Sequence, residues 1–483
     1  MERLVLVLAA SAATSSCSSV HISKGDASPG AARTFCVIAG KSYAAGETFA
    51  ADCNTCSCGA DLQVACTTMI CSTDAAPPVT DAPAQDQRPA PDLAPADGGA
   101  CQWVGFAPQA TYAGSGQSIA VADFNGDGQP DIVVVNSGNV TTAFTGNGRA
   151  SVHLNQGNGT FAPATTQNTE MEATSVAVGD FSGDGKTDFA VINVLGDLDV
   201  FVNQGDGTFG TFVHHEGPVT AVVMAAGDFN RDGHPDLAVT AQGRAIEVLF
   251  GDGNGGFAAP IAYATGAEVD SIAVGDFNGD GYPDIVVTNA ELAGTCPGTG
   301  LLCLPTGLGA GTVNVFINQG DGTFAPQVSY AAGKGTASVA VGDLNGDGAP
   351  DIAATNSEDN TLSVFFNAGD GTFDLQATYA NAGSGTAAQG LPFPWTGGGV
   401  VAADFNGDGH VDIAVVQGQS QRRNGVVLLF ANAGDGTLLA PVTYAIAGNP
   451  DAPIVADFNG DGLPDLAVAM TDDTMGVFLS KCE

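Results

Sequence analysis

The fold is decided by the stretch DFNGDGQPDIVVV, residues 123–135. Close copies begin at six further aspartates: Asp180, Asp228, Asp276, Asp343, Asp404 and Asp457. With the first Asp as position 1, every copy has a side chain that carries an oxygen at positions 1, 3, 5 and 9, and Gly at position 6. Alternating oxygen donors around a glycine turn are how a flexible loop wraps Ca²⁺. The sequence therefore predicts up to seven calcium loops, numbered here loops 1 to 7 in chain order.

The predicted ligands form seven sets of four side chains. They are Asp123, Asn125, Asp127, Asp131; Asp180, Ser182, Asp184, Asp188; Asp228, Asn230, Asp232, Asp236; Asp276, Asn278, Asp280, Asp284; Asp343, Asn345, Asp347, Asp351; Asp404, Asn406, Asp408, Asp412; and Asp457, Asn459, Asp461, Asp465. Position 7 varies freely between loops, as expected where only a backbone carbonyl binds the ion. Ser182 is a weaker neutral ligand than Asn, and the same loop has Lys186 at position 7, so we expect loop 2 to bind least tightly. Turns rich in Asp and Asn can also satisfy themselves with hydrogen bonds, which explains one loop better than seven with the same spacing.

The residues around each loop predict four β-strands per unit. Apolar alternation leads into the loop and a β-branched run leaves it, as in SIAVGDFNGDGYPDIVVT at 271–288. A third strand such as TVNVFIN, a GDGTF turn and a fourth strand such as FAPQVSY follow. The units recur every 48 to 67 residues, and four strands per unit are one propeller blade. The predicted fold class is all-β, a seven-bladed β-propeller.

The position of the fourth strands predicts how the ring closes. They are expected to begin at Phe161, Phe209, Phe257, Phe324, Phe373 and Leu438, which serves only six units. A seventh copy, FAPQATY at 106–112, precedes loop 1, so we expect the N-terminal strand to complete the last blade. Cys101 and Cys482 flank that seam and are predicted to pair, which would oppose unzipping. Cys296 and Cys303 are predicted to pair locally.

The loops lack the position-12 Glu of an EF-hand, and the units resemble FG-GAP/VCBS repeats of integrin α-chain-like propellers over residues 101–482. The resemblance implies that the cation loops are structural and that the opposite face binds ligands. That face is formed by the 2–3 and 4–1 connections and receives two insertions, 289–311 and 381–399. The predicted partner-binding residues are Trp395, Phe393, Arg422, Arg423 and Arg149.

The N-terminal residues predict export. Residues 1–17 have an apolar stretch from Leu4 to Ala13 that is too short to span a membrane, followed by small residues. Thr14-Ser15-Ser16-Cys17 resembles a bacterial lipobox, although Leu is usual where Thr14 stands. Lipidation of Cys17 and ordinary cleavage nearby both stay open. A cell-surface lipoprotein and a secreted protein are the two corresponding locations.

A small cysteine-rich unit, residues 30–75, comes next. Its cysteines are Cys36, Cys53, Cys56, Cys58, Cys66 and Cys71. So short a segment cannot form a hydrophobic core, so disulfides or a metal must hold it together, and export and the lack of His within it favour disulfides. The run DCNTCSCGADLQVACTTMIC resembles a pacifastin-type protease inhibitor. That resemblance implies a reactive bond between Thr68 and Met69, and a module kept only as a disulfide spacer is the alternative. Residues 76–100, rich in Pro, Ala and Asp, predict a disordered linker to the propeller at 101–483.

The composition and motifs limit the function. A formal net charge of −39 argues against nucleic acid and anionic membranes as partners. No nucleophile-elbow, zinc-protease or phosphate-loop motif occurs, and sevenfold repetition of carboxylates suits metal binding better than catalysis, so we expect no enzyme. The favoured hypothesis is an exported calcium-binding propeller that binds a protein or glycan. The alternative is a serine-type peptidase inhibitor in which the propeller is a scaffold.

Overall fold

A computed structural model describes five short segments near the N-terminus and most of the chain from residue 103 onward. The described residues are 35–38, 41–44, 48–51, 54–58 and 64–67, and 103–482 apart from 115, 137–147, 170–171, 194, 217–221, 242–243, 294–306, 381–398, 419–423 and 473. The chain divides into two compact units, Met1–Val79 and Thr80–Glu483. No helix in the described residues is long and apolar enough to cross a membrane.

The first unit contains two small antiparallel sheets. Phe35–Ile38 pairs with Lys41–Ala44, and Thr48–Ala51, Asn54–Cys58 and Val64–Thr67 form a three-stranded sheet. The strand register places Cys56 directly opposite Cys66.

The second unit is the predicted seven-bladed propeller. Each blade is a four-stranded antiparallel sheet whose strands lie in the order first, second, third, fourth. Blades 1 to 3 are Ser118–Ala122, Asp131–Asn136, Arg149–His153 and Thr165–Asn168; Ala173–Gly179, Asp188–Asn193, Leu198–Phe201 and Val213–His215; and Met224–Gly227, Asp236–Ala241, Ala245–Leu249 and Ile261–Ala264. Blades 4 and 5 are Val269–Gly275, Asp284–Ala293, Gly307–Phe316 and Val328–Lys334; and Thr336–Gly342, Asp351–Asn356, Thr361–Asn367 and Phe373–Ala380.

The last two blades close the ring as the sequence predicted. Blade 6 is Val400–Ala403, Asp412–Gly418, Asn424–Phe430 and Val442–Ala447, and blade 7 contains Pro450–Ala456, Asp465–Met470 and Thr474–Phe478. The fourth strand of blade 7 is Ala110–Ala113, from the opposite end of the propeller sequence. A further pair, Trp103–Phe106 with Ser480–Cys482, continues the same seam.

The hydrophobic core lies between neighbouring blades. The fully buried aromatic side chain at position 2 of a loop packs edge-on against the aromatic residue that opens the fourth segment of the next blade. Phe124 and Phe209 have ring centroids 5.5 Å apart, and Phe458 and Phe161 repeat this contact across the ring closure, also at 5.5 Å. The DF dipeptide therefore joins one blade to the next in six of the loops, and in loop 5 Leu344 takes the place of the Phe.

The fourth strands begin later than predicted in most blades. The residues Phe161, Phe209, Phe257, Phe324 and Leu438 form only isolated bridges, and the strands proper begin at Thr165, Val213, Ile261, Val328 and Val442. Four of these segments contain proline (Pro163, Pro260, Pro326 and Pro441), which has no amide hydrogen for the sheet. Blade 2 has Gly210 instead, and only Phe373, followed by neither residue, starts a continuous strand.

The first insertion also differs from its prediction as a loop. The second and third strands of blade 4 continue to Ala293 and begin again at Gly307. Both ends of the 289–311 insertion therefore extend the blade hairpin.

Candidate cation loops and the opposite face

Each loop joins the first and second strands of its blade and is anchored by the aspartate at position 9. That residue begins the second strand and is fully buried in all seven loops. In loop 1, Asp131 Oδ1 accepts a hydrogen bond from the amide of Asn155 at 2.7 Å, and Oδ2 accepts one from the amide of Phe124 at 3.0 Å. Position 9 therefore ties the loop to the end of the third strand, in addition to its predicted role as a ligand.

The aspartate at position 1 organises the turn itself. Its two carboxylate oxygens accept hydrogen bonds from the amides of positions 5 and 6 in every loop. In loop 1, Asp123 accepts from Asp127 at 3.2 Å and from Gly128 at 2.8 Å. The position-6 glycines have positive φ, 81° at Gly128, a conformation that a side chain disfavours. This geometry explains the fixed Asp and Gly at positions 1 and 6.

Positions 3 and 5 bond to each other on the exposed side of the loop. The amide nitrogen of Asn125 donates to Asp127 Oδ2 at 3.0 Å, and Asp127 Oδ1 accepts the amide of Gln129 at 2.8 Å. The side chain of Gln129, at position 7 of loop 1, takes no part in these bonds, which agrees with the variability of this position. The loops thus display the self-satisfied Asx turns that the sequence left open as an alternative to metal binding.

The electrostatics of position 9 are unfavourable without a counter-charge. Burial, reinforced by the charges of positions 5 and 1 and opposed by the amide bonds, raises the pKa of these carboxyls. The pKa is raised to about 6 for Asp131 and Asp351 and to about 7 for Asp236, Asp284, Asp412 and Asp465. Burial likewise raises the pKa of Asp188. Each loop concentrates negative charge that a cation would offset.

The fit to Ca²⁺ rests on the donors rather than on a preformed cage. In the described part of the chain, no three His, Cys, Asp or Glu side chains are grouped so that they could hold a metal ion as they stand. The donors are nevertheless hard oxygens, as Ca²⁺ prefers. In loop 6, the buried Asp412 Oδ2 has no hydrogen-bond donor, because the amide of Phe405 donates to the carbonyl of Ala403. That atom is a buried acceptor left open to a cation.

The sequence reasoning missed an asparagine that connects the loops to one another. At the end of the third strand, Asn203 Nδ2 donates to the carbonyl of Phe124, in the loop of the preceding blade, at 2.8 Å. The equivalent bonds are made by Asn155, Asn318, Asn367 and Asn432. The signal was present, since Asn stands at a fixed distance before the turn glycine in these five units. These bonds connect five of the seven loops to the blade that follows them.

Loop 3 departs from the pattern at position 4. Arg231 stands there with a φ of 57°, where the other six loops have Gly. Its guanidinium lies over the ring of Tyr282 in loop 4, 4.7 Å from the centroid. The cation–π contact compensates for the strained backbone and joins loops 3 and 4.

The charged residues of the opposite face recur in far fewer blades than the residues of the loops do. Arg149 is the exposed first residue of the third strand of blade 1, directly after the connection from the second strand. Arg244 Nη1 donates to the carbonyl of Gly266 at 3.1 Å. The first strands of blades 4 and 7 add Asp270 and Asp451, and burial raises the pKa of each to about 6. Asp270 and Asp451 stand at the same position, six residues before their loops, where the other five blades have no acidic residue. This face therefore carries both signs of charge on residues that do not recur in every blade.

Several predicted site residues lie outside the described residues or have side chains outside them. Among the partner-binding residues these are Trp395, Phe393, Arg422 and Arg423, and among the others Cys17, Cys53, Cys71, Thr68, Met69, Cys101, Cys296 and Cys303. Only backbone is described for Cys36, Cys56, Cys58, Cys66 and Cys482. Their disulfides, lipidation and reactive bond stay predictions.

His215, the second of two adjacent histidines in blade 2, has a structural role. His215 Nε2 lies 2.7 Å from the carbonyl oxygen of Gly255, and its ring packs edge-on against Phe257. In blades 3 and 4 the same place is taken by Tyr263 and Tyr330, whose hydroxyls accept the amide of the opening Phe of the next blade. His215 is therefore another blade-to-blade contact.

The fold and the loops define a class of protein, a seven-bladed β-propeller with an Asp-rich loop at the same corner of every blade. The FG-GAP-like repeat matches residues 136–191, 180–239, 228–287, 301–354, 343–415 and 404–468, and the FG-GAP repeat matches residues 115–153. These matches cover more than half of the chain, which therefore belongs to the FG-GAP-like repeat family. Residues 44–81 match the Pacifastin inhibitor (LCMII) family, a range that begins after Cys36 and ends beyond Cys71.

Comparisons with whole proteins add little to these family matches. No curated protein matches the chain. Among solved structures, BBS1N in complex with ARL6DN is similar, with 10% sequence identity and a TM-score of 0.47. The alignment covers 79% of this chain and 97% of that chain. The chain is also similar to an Agrocybe aegerita lectin with specific recognition of non-reducing terminal N-acetylglucosamine, with 19% sequence identity and a TM-score of 0.45. That alignment covers 77% of this chain and 87% of that chain.

Proposed function

We propose that the chain is an exported, calcium-stabilised propeller that binds a protein or glycan through the face opposite the loops. FG-GAP and pacifastin domains are typical of extracellular proteins. The observation that carries the calcium proposal is the sevenfold recurrence of the 1-3-5-9 oxygen pattern in loops of one geometry. A single loop of this kind is a turn, whereas seven in one ring form a set of equivalent cation positions.

Calcium would act on stability in this proposal. Aspartates at positions 1, 5 and 9 of each loop repel one another, and the chain has 52 acidic against 13 basic residues. Divalent ions would reduce that repulsion at the corner where each blade contacts the preceding one. Position 1, the Asn or Ser at position 3, position 5 and position 9 would supply side-chain oxygens, and position 7 its carbonyl.

The partner-binding proposal rests on the difference between the two faces. Side chains on the loop face are engaged in repeated hydrogen bonds, so they are poorly placed to recognise an irregular ligand. The opposite face carries the insertions and the exposed Arg149, and connecting loops on a rigid scaffold are the usual site of recognition.

The experiment is to screen the full-length chain, with calcium present, against protein and glycan arrays and then to test variants against the ligand found. W395A, R149A and the double variant R422A/R423A should each weaken binding at least about tenfold, a loss typical of interface hot spots. A loop-face control, Q129A, should bind normally. Unchanged affinity in all three face variants would contradict the assignment.

A second candidate function is supported by the pacifastin match at residues 44–81. In this alternative, the N-terminal module inhibits a serine-type protease and the propeller is a scaffold. Full-length chain should then inhibit one member of a serine protease panel, and a Met69→Pro variant should lose that inhibition. No inhibition by the native chain would leave the module as a spacer.

A further inference from the structure

Loop 2 contains a side-chain cation of its own. Lys186, at position 7, donates through Nζ to Asp184 Oδ2 at 2.9 Å and through its backbone amide to Oδ1 at 3.0 Å. In loops 1, 3, 4, 5 and 7, the same Oδ2 of position 5 accepts the neutral side-chain amide of position 3. Ser182 replaces that amide in loop 2. An ammonium group therefore takes the place of a neutral donor in this loop.

Blade 3, which follows loop 2, also lacks the side chain that bonds to the preceding loop in five other blades. Gly251 stands where five other blades have the connecting Asn, so no side-chain amide reaches the carbonyl of Phe181. The backbone amide of Gly255 donates to that carbonyl at 2.7 Å, a bond that Gly159 and Gly207 also make in blades 1 and 2, where the Asn bond accompanies it. A Cβ on Gly183 would lie 2.5 Å from the carbonyl oxygen of Gly253. Loop 2 is held to blade 3 by close backbone contact.

We propose that loop 2 binds no calcium and that the Lys186 ammonium is its resident cation, so that the native chain holds six ions. This inference rests on the proposed calcium function. The ammonium repels a divalent ion bound to the same carboxylate, which lowers affinity by roughly tenfold or more. The ion pair is 42% and 38% exposed on its two side chains, so its contribution to stability is small. Its consequence is that the blade 2–3 contact does not depend on the calcium concentration.

Counting the bound ions of the purified full-length chain tests the proposal, by equilibrium dialysis with Ca²⁺ followed by elemental analysis. The native chain should bind six ions. Asp127→Asn, at position 5 of loop 1, should bind five, whereas the matched Asp184→Asn in loop 2 should still bind six. Restoring the common residues with S182N/K186Q should raise the count to seven.

A reciprocal variant tests whether the residues of loop 2 also prevent calcium binding when they are placed in another loop. Transferring the loop 2 residues to loop 1 with N125S/Q129K should reduce the count from six to five. All these side chains are at least partly exposed, and circular dichroism before dialysis confirms that each variant is folded. Seven ions on the native chain, falling to six in Asp184→Asn, would overturn this inference and leave the calcium function intact. No bound ions on a folded native chain would overturn both.

Discussion

The two faces of the propeller use their polar residues in opposite ways. On the loop face the same bonds recur around the ring, from position 9 to the third strand and from Asn to the preceding loop. On the opposite face Arg149 has no counterpart in the other blades, and the aspartate six residues before the loop occurs in only two of them, as Asp270 and Asp451. A polar group that recurs seven times with its partner serves the fold, which each blade needs equally. A polar group that occurs once is free to serve a ligand.

The largest stability effect is expected at position 9. Asp284→Ala in blade 4 removes the acceptor for the buried amides of Asn318 at 2.7 Å and Phe277 at 2.8 Å. Two unsatisfied buried amides cost about 3 kcal/mol of unfolding free energy. Urea denaturation in EDTA measures this cost without the contribution of calcium. Asp270→Ala, on the opposite face of the same blade, should destabilise the chain by no more than about 1 kcal/mol, and equal costs would break the distinction between the faces.

Most of this architecture could be predicted from the sequence because it repeats. Seven copies of the loop, the four-strand unit and the displaced copy at 106–112 were enough to predict the blades and the closure of the ring. The predicted starts of five fourth strands were wrong, because a local effect of Pro163 and its equivalents, or of Gly210 in blade 2, competes with strand propensity. The bonds of Asn203 to the preceding loop were missed because they cross between blades, and sequence spacing within one unit does not show such contacts.

His153 interrupts a repeat of buried apolar side chains, and we expect it to lower the stability of the fold. The ring is 1% exposed, neither nitrogen has a hydrogen-bond partner, and the equivalent side chains in the other blades are Leu249 and five phenylalanines. Burial lowers the pKa of His153 to about 4. The unfolded chain binds this proton more readily, so stability is lost as pH falls from about 6.5 towards 4.

The variant His153→Phe should remove that loss. Compared with the native chain, it should be more stable by about 2 kcal/mol at pH 5 and by less at pH 7.5. Thermal unfolding at the two pH values measures the difference. An equal gain at both pH values would mean that packing alone, and not the buried imidazole, is responsible.

An opposite dependence on pH is expected for Asp451. Burial raises the pKa of this carboxyl to about 6, so the folded chain binds the proton more readily and the native state gains stability as pH falls from about 6 towards 4. Asp451→Asn should therefore stabilise the chain by about 1–2 kcal/mol at pH 8 and have little effect at pH 4. Unfolding of both proteins at the two pH values tests this sign. No gain at pH 8 would show that the charge is compensated by a partner.

The smallest stability effect is expected from the insertion at 381–398. Replacing residues 384–396 by a short Gly-Ser linker touches no strand of blades 5 and 6, which end at Ala380 and begin at Val400. The melting temperature should change by less than about 2 °C, while binding of any ligand identified by the arrays should be lost. Retained binding after this deletion would move the ligand site elsewhere.

The central claim is that calcium on the loop face stabilises the ring, and thermal unfolding of the native chain with and without EDTA tests it most directly. Several sites that bind only the folded chain, saturated at millimolar calcium, should raise the melting temperature by about 10 °C or more over the EDTA value. Magnesium at the same concentration should restore less of this difference, because it requires a stricter octahedral geometry. Identical melting temperatures in calcium and EDTA would contradict the account and leave the seven loops as turns satisfied by their own hydrogen bonds.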